Sequence, residues 1–168
     1  MGDLTRLDEM HPGLPPQRCV DLAFNAAVGL QNWGHRPGDA LPVSISDEDW
    51  KCTLSWRNAP RGSDEALDPK RVTEDGAEAI ALAVVHEAKG WTVRARMRQG
   101  QFADWLLVDA SGRRIALEVG GCAGQDRSRL REKLDQVAKC RYDDVRAACV
   151  VEFQPPRAYL AEVESRSP

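Results

Sequence analysis

The chain has 168 residues, 42% of them hydrophobic and 29% charged, which is enough for one buried core in a globular protein. No apolar run approaches the roughly 20 residues that span a bilayer. Five cysteines without CxxC spacing exclude a zinc-ribbon pattern and favour reduced thiols over a disulfide framework. The acidic N-terminus, broken by proline, is not typical of a signal peptide, so we expect a cytoplasmic protein without a membrane partner.

Charge divides the chain near residue 70. Residues 1–70 hold 7 Lys and Arg against 11 Asp and Glu, whereas residues 71–168 hold 16 against 15. The net charge of −3 neither supports nor excludes a polyanionic partner, which would need a local basic patch. The polar segment 58–71 is the best linker candidate. We therefore expect an N-terminal accessory region over residues 1–70 and a second domain over residues 71–168.

The predicted elements of the accessory region are short. Residues 1–18 are broken by prolines and predict a mobile leader or docking arm. Residues 19–30 predict a helix whose apolar side includes Val20 and Phe24. The tryptophans of this region either complete the core of a small strand layer or form a face for a protein partner. Alternating runs predict two strands, at 43–45 and 52–56.

The second region opens with the strongest helix prediction, over residues 73–89. Thr73 or Asp75 is the expected cap, and Gly90 ends the helix. Its residues are apolar nearly all round, a pattern typical of a helix that packs on most sides. Glu78 is one of two acids that interrupt the pattern.

A strand is predicted next, over residues 91–100, with apolar and basic side chains on opposite faces. The apolar face carries Val93, Ala95 and Met97. The basic face is either a solvated row or a track for nucleic-acid phosphates. It carries Arg94, Arg96 and Arg98.

Residues 101–121 predict two strands joined by a tight turn at 109–113. Each strand carries one acid in an apolar run, Asp104 in the first and Glu118 in the second. Alternation places Glu118 on the face opposite Ile115, Leu117 and Val119. An unpaired carboxylate buried there would cost several kcal/mol, so each acid should meet water, a basic side chain or a cation. The alternative is that both acids lie on the exposed face of a half-buried hairpin.

The remaining elements complete an alternating helix and strand order. Residues 120–124 predict a glycine-rich loop, and residues 126–141 predict an amphipathic helix. Residues 147–153 predict a covered strand. Residues 158–163 predict a final strand or a frayed helix.

The element order over residues 73–153, with Asp104 and Glu118 on the two central strands, resembles the PD-(D/E)XK nuclease superfamily. The resemblance implies an α/β (α+β) fold of restriction-endonuclease type, with a mixed central sheet flanked by helices. Phe102-Ala-Asp104 stands for the first half of the motif and Glu118-Val-Gly120 for the second. Gly120 therefore occupies the place of the motif lysine. Either Lys133 on the following helix supplies the amine, or the domain has lost catalysis and keeps the fold for binding.

The resemblance also implies a metal-dependent deoxyribonuclease in a defence or repair setting. Asp104, Glu118 and the main-chain carbonyl of Val119 would hold Mg²⁺ or Mn²⁺, and Lys133 would assist the chemistry. Glu78 would complete the site, with Glu87 in reserve. The alternative is a catalytically inactive nuclease-fold subunit that binds nucleic acid or a protein partner.

DNA is the partner that the resemblance implies, and a protein partner at the N-terminal region or a homodimer is a further expectation. Basic and polar side chains of the second region would contact the nucleic acid. They are Arg94, Arg96, Arg98, Arg127, Arg129, Arg131 and Gln136.

Overall fold

The computed structural model describes residues 1–126, 128–141 and 144–163, and these form a mixed α/β fold around one eight-stranded sheet. The strands are β1 (Gly2–Asp3), β2 (Ala40–Ile45), β3 (Glu48–Ser55), β4 (Thr92–Arg96), β5 (Trp105–Val108), β6 (Arg114–Cys122), β7 (Val145–Phe153) and β8 (Pro156–Glu162). The helices are α1 (Leu7–Met10), α2 (Pro16–Asn32), α3 (Pro69–Lys89) and α4 (Arg129–Val137), and a 3-10 turn covers Leu4–Arg6. The predicted α/β class is confirmed.

The sheet is mixed, in the order β1-β3-β2-β8-β7-β6-β5-β4. β6 pairs with β7 in parallel, as β1 does with β3 and β2 with β8, and the other neighbours are antiparallel. Strands β1 to β3, which precede Pro69, therefore belong to the same sheet as the later strands. No helix within the described ranges is both long and apolar enough to cross a membrane.

Different helices cover the two faces of the sheet. Leu22 of α2, Leu82 of α3 and Leu117 of β6 share the main core. On the other face, Ala116 of β6 packs with Val137 of α4 and a neighbouring cysteine in a smaller cluster. The alternation predicted for β6 is therefore confirmed, and its residue Glu118 faces α4.

Helix α3 begins one turn earlier than predicted. The side chain of Asp68 accepts a hydrogen bond from the Lys70 amide at 2.9 Å, and Pro69 occupies the first helical position. The prediction that Thr73 or Asp75 caps the helix was therefore wrong. Gly90 ends α3 in the left-handed conformation, with φ of 66°, as predicted.

The N-terminal residues pack against the body of the protein, so the predicted mobile leader was wrong. Leu4, Leu7 and Leu14 are buried in the main core. The buried ring of His11 accepts a hydrogen bond from the Val93 amide at 3.2 Å and also contacts the Leu82 carbonyl oxygen at 3.1 Å. These contacts fix the segment against α3 and β4.

The predicted apolar side of α2, which comprised Val20, Phe24, Ala27 and Val28, was wrong for its first two residues, whereas Ala27 and Val28 are buried. Val20 and Phe24 are 62% and 37% exposed, and the helix instead buries the side that carries Ala26 and Gly29. A Cβ on Gly76 of α3 would lie 3.2 Å from the Ala26 Cα atom. The two helices therefore approach through small residues, which carry little hydrophobic signal in a sequence.

The predicted loop at residues 120–124 is largely strand. β6 continues to Cys122, because Gly120 and Gly121 pair in register with Val150 and Val151 of β7. A Cβ on Gly121 would lie 2.5 Å from the Thr73 carbonyl oxygen, so this glycine permits close packing of α3 on β6. The last predicted segment, 158–163, forms strand rather than helix, within β8.

Candidate functional site

The β5–β6 hairpin brings Asp104 and Glu118 together. Trp105 pairs with Leu117 in antiparallel register, and the Asp104 amide donates to the Leu117 carbonyl oxygen at 3.0 Å. Continuing this register places Asp104 opposite Glu118 on the face of α4, where opposed side chains are neighbours. Oδ2 of Asp104 also accepts a hydrogen bond from the Val119 amide at 2.9 Å, which fixes the carboxylate beside β6.

Lys133 reaches the acid pair from α4. Its Nζ atom lies 2.5 Å from Oε1 of Glu118, and the side chains are 15% and 3% exposed, respectively. A Cβ on Gly120 would lie 3.3 Å from both Cγ and Cε of Lys133. The lysine side chain therefore crosses the strand where Gly120 has no side chain.

The electrostatics of Glu118 are unusual for a carboxyl group. Burial raises its pKa from 4.5 to about 7, and the negative charge of Asp104 acts in the same direction. The hydrogen bond from Lys133 opposes this shift. Glu118 can therefore exchange a proton near neutral pH, and a further positive charge at the pair would favour its ionised form.

Arg96 occupies the opposite side of Asp104. Its guanidinium contacts Oδ1 of Asp104 at 3.3 Å and Oε1 of Glu78 at 2.8 Å. The guanidinium also lies 4.5 Å from the centre of the Trp105 ring, within range of a cation–π interaction. Arg96 thus connects Glu78, on α3, to the acid pair.

A β-bulge in β4 produces this position and breaks the predicted arginine row. The register with β5 shifts between Val93 and Ala95, so the alternation of side chains is interrupted at Arg94. Val93 packs in the main core, whereas Met97 packs against the cluster beneath α4. The prediction that these two residues share a face was wrong, and Arg96 points with Val93 toward α3.

Glu78 belongs to a second ion-pair cluster. Arg18 of α2 contacts Oε2 of Glu78 at 3.0 Å and Oδ1 of Asp75 at 2.8 Å, and Arg71 lies 3.5 Å from Asp75. Asp75 and Glu78 are both buried. Together with Arg96, these contacts form a continuous series of alternating charges from α2 to the acid pair.

Arg18 and Asp75 were not predicted as part of this series. Arg18 lies 57 positions from Asp75, so no local pattern relates them. The one available signal was an acid inside an otherwise apolar helix, since such a residue requires a partner when the helix is packed on most sides.

The other predicted residues lie apart from the acid pair. Glu87 pairs with the N-terminal amine of Met1 at 2.5 Å. Arg94, Arg98 and Arg131 are exposed, Gln136 is half-buried, and Arg129 contacts Glu132 at 3.4 Å. Arg127 falls outside the described residues.

The acid pair fits a small divalent cation of the hard type. Mg²⁺ prefers oxygen ligands and retains several waters, so two carboxylates are sufficient. Within the described ranges, no group of three or more His, Cys, Asp or Glu side chains forms a metal site. A cation held by Asp104 and Glu118 would oppose the effects of burial and of the Asp104 charge, which raise the pKa of Glu118.

The site combines two adjacent acids, a buried amine and a guanidinium held over an aromatic ring. This arrangement can bind a cation, exchange a proton at Glu118 and neutralise an anionic ligand. No family model, curated protein or solved structure matches the chain.

Proposed function

We propose that the protein is a metal-dependent nuclease that hydrolyses phosphodiester bonds of DNA, with a fold of restriction-endonuclease type. The observation that carries this proposal is the position of Lys133, whose Nζ atom lies 2.5 Å from Glu118 over the missing side chain of Gly120. An amine beside an Asp–Glu pair is the combination expected of a PD-(D/E)XK site, here with the amine supplied by α4.

Each polar group of the pair has a role in this proposal. Asp104 and Glu118, with the main-chain carbonyl of Val119, would hold Mg²⁺ or Mn²⁺, which lowers the pKa of a bound water and offsets charge on the scissile phosphate. Lys133 orients Glu118 and donates to a phosphate oxygen. Burial raises the pKa of Glu118 to about 7 in the metal-free site, and a bound cation would favour the ionised form that serves as its ligand.

Arg96 positions Asp104 and adds positive charge on the approach to the pair. Its contact with Trp105 keeps the guanidinium in place. Glu78 acts through Arg96 rather than on the substrate, since both of its oxygens meet arginines.

Cleavage assays test the proposal. Linear, circular and single-stranded DNA are incubated with the purified protein in Mg²⁺, in Mn²⁺ or in EDTA. We expect cleavage only with metal, and a loss of about 10² or more in rate for Asp104→Asn, Glu118→Gln and Lys133→Met. Asp135→Asn removes an exposed carboxylate of α4 and serves as the matched control. Cleavage that survives Asp104→Asn and Glu118→Gln would contradict the proposal.

The second candidate is a non-catalytic nuclease-fold subunit that binds nucleic acid or a protein partner. Its supporting observation is that Arg96 and Lys133 already supply one cation to each acid of the pair. This candidate predicts no cleavage with any cation and no change in melting temperature on addition of Mn²⁺. The nuclease predicts a higher melting temperature in Mn²⁺ that Glu118→Gln abolishes, because a ligand that binds only the folded state stabilises it.

A further inference from the structure

A basic cavity lies between the loop that precedes β5 and the end of α4. Its volume is about 870 Å³. The three charged residues among the described residues that line it are all basic, in a protein with a net charge of −3. They are Lys139, Arg141 and Arg146.

Phe102 presents an aromatic ring at this cavity. The residue is 44% exposed, although large apolar side chains are usually buried. Its φ of 63° lies in the left-handed region, which is unfavourable for a bulky residue and in which glycine would be unstrained. Strain of this kind, in an exposed aromatic, is a reason to consider binding.

The loop that carries Phe102 is held by local hydrogen bonds. The Arg98 amide donates to Oε1 of Gln101 at 2.6 Å, and the Gln101 amide donates to the Arg98 carbonyl oxygen at 3.1 Å. The Met97 amide donates to the Asp104 carbonyl oxygen at 2.9 Å. The ring is therefore presented by an ordered turn.

One cation lies near the ring, and two more line the cavity. Nζ of Lys139 lies 5.9 Å from the centre of the Phe102 ring. Arg146 donates to the carbonyl oxygens of Ala138 and Cys140 at 3.0 and 3.5 Å, so it offsets the negative end of α4. Lys139 and Arg141 are exposed, which leaves both cations accessible to an anionic ligand.

The cavity and the acid pair are close along two elements. Phe102 precedes Asp104 by two residues, and Lys139 follows the end of α4, the helix that carries Lys133. A nucleic-acid strand that contacts the ring can therefore continue to the acids.

We infer that this cavity binds an unpaired nucleotide, whose base stacks on Phe102 while its phosphates contact Lys139 and Arg141. Aromatic rings next to basic side chains are how proteins bind single strands, since every base has a face that stacks. The inference rests on the proposed nuclease function and deepens it, because it names a nucleic acid with an unpaired segment as the substrate class.

Fluorescence anisotropy in EDTA tests the inference without cleavage. The probes are a labelled oligo-dT, an oligo-U of equal length and a blunt DNA duplex. We expect Phe102→Ala to weaken single-strand binding about ten-fold with little effect on the duplex. Lys139→Met should reduce the salt dependence of binding by about one phosphate contact. The oligo-U probe distinguishes RNA from DNA as the preferred strand.

Two further variants separate binding from folding. Phe102→Gly removes the ring and relieves the backbone strain, so it should lose binding while its melting temperature is kept. Phe24→Ala and Lys51→Met remove an exposed phenylalanine and an exposed lysine far from the cavity and are the matched controls.

The outcomes for the cavity and for the nuclease are distinguishable. The inference is overturned if the single-strand affinity of Phe102→Ala and Phe102→Gly stays within about two-fold of the wild-type value. It is also overturned if Phe24→Ala loses as much affinity as the Phe102 variants do. If those variants bind normally and Glu118→Gln still abolishes cleavage, the nuclease proposal is supported and nucleotide binding in the cavity is refuted. If those variants lose binding but the wild-type protein does not cleave, nucleotide binding in the cavity is supported and the nuclease proposal is refuted.

Discussion

Glu118 makes the stability of the metal-free protein depend on pH near neutrality. Burial, reinforced by the charge of Asp104, raises the pKa of Glu118 from 4.5 to about 7. The folded state then holds the proton more tightly than the unfolded chain. The stabilising contribution of Glu118 is therefore fully present below pH 4.5 and is lost as the pH rises to 7. At about 1.4 kcal/mol per pKa unit, this loss is about 3 kcal/mol.

Glu118→Gln isolates this contribution, because the amide keeps the shape of the side chain but does not titrate. Urea unfolding from pH 4.5 to 8 in EDTA gives the free energy of unfolding of wild type and variant. We expect the variant to gain about 3 kcal/mol relative to the wild type across this interval. Glu132→Gln, which removes an exposed carboxylate of α4, controls for the change in net charge. A difference that stays constant within about 0.5 kcal/mol would refute the reasoning.

Three further predictions concern packing and titration elsewhere. Gly120→Ala should lower the cleavage rate about ten-fold, because the added methyl group displaces the Lys133 side chain. The double variant Gly120→Lys with Lys133→Ala should cleave faster than Lys133→Ala alone. A cleavage rate that Gly120→Ala leaves unchanged would contradict the close contact between residue 120 and Lys133. Gly121→Ala should lower the free energy of unfolding by about 1–3 kcal/mol in urea, because a Cβ there would lie 2.5 Å from the Thr73 carbonyl oxygen of α3, whereas Gly124→Ala in open space should be neutral. The ring of His11, whose pKa burial lowers from 6.5 to about 4, should titrate by NMR near pH 4. Its stabilising contribution is present above pH 6.5 and is lost as the pH falls toward 4, so a midpoint near 6.5 would contradict the burial.

The fold could be predicted where a single residue pattern dominates. The apolar run of α3 and its terminal Gly90 gave the helix, and the turn at residues 109–113 forms around Asp109, whose side chain accepts from the amides of Ser111 and Arg113. The burial of residues 1–14 could not be predicted in the same way. Isolated leucines in a proline-broken segment have no periodicity, and only the tertiary structure brings them to the core.

The acid pair and its amine could also be predicted, but their surroundings could not. Asp104 and Glu118 were identified because acids in apolar strands require partners, whereas Lys133 was implied by the resemblance, as the substitute for the motif lysine. Arg96 was predicted as a phosphate contact, whereas it bonds Asp104 and Glu78, since a bulge that no sequence signal marks turns it toward α3. The position of a bulge depends on pairing with β5, which is a property of the whole sheet.

Stability alone does not account for the buried pair of Glu118 and Lys133. A buried ion pair is weak evidence for stability, because apolar side chains of similar volume are often neutral or better. Here the pair also carries a carboxyl group whose pKa is raised to about 7, so ionising it at neutral pH lowers the stability of the fold. Gly120 adds to this cost, since glycine in a strand interior weakens it and this one leaves space into which the side chains of Lys133 and Val150 pack. Perturbed carboxyl groups beside a placed amine concentrate at functional sites, and this favours chemistry at Glu118 over a binding fold that keeps the charges for structure.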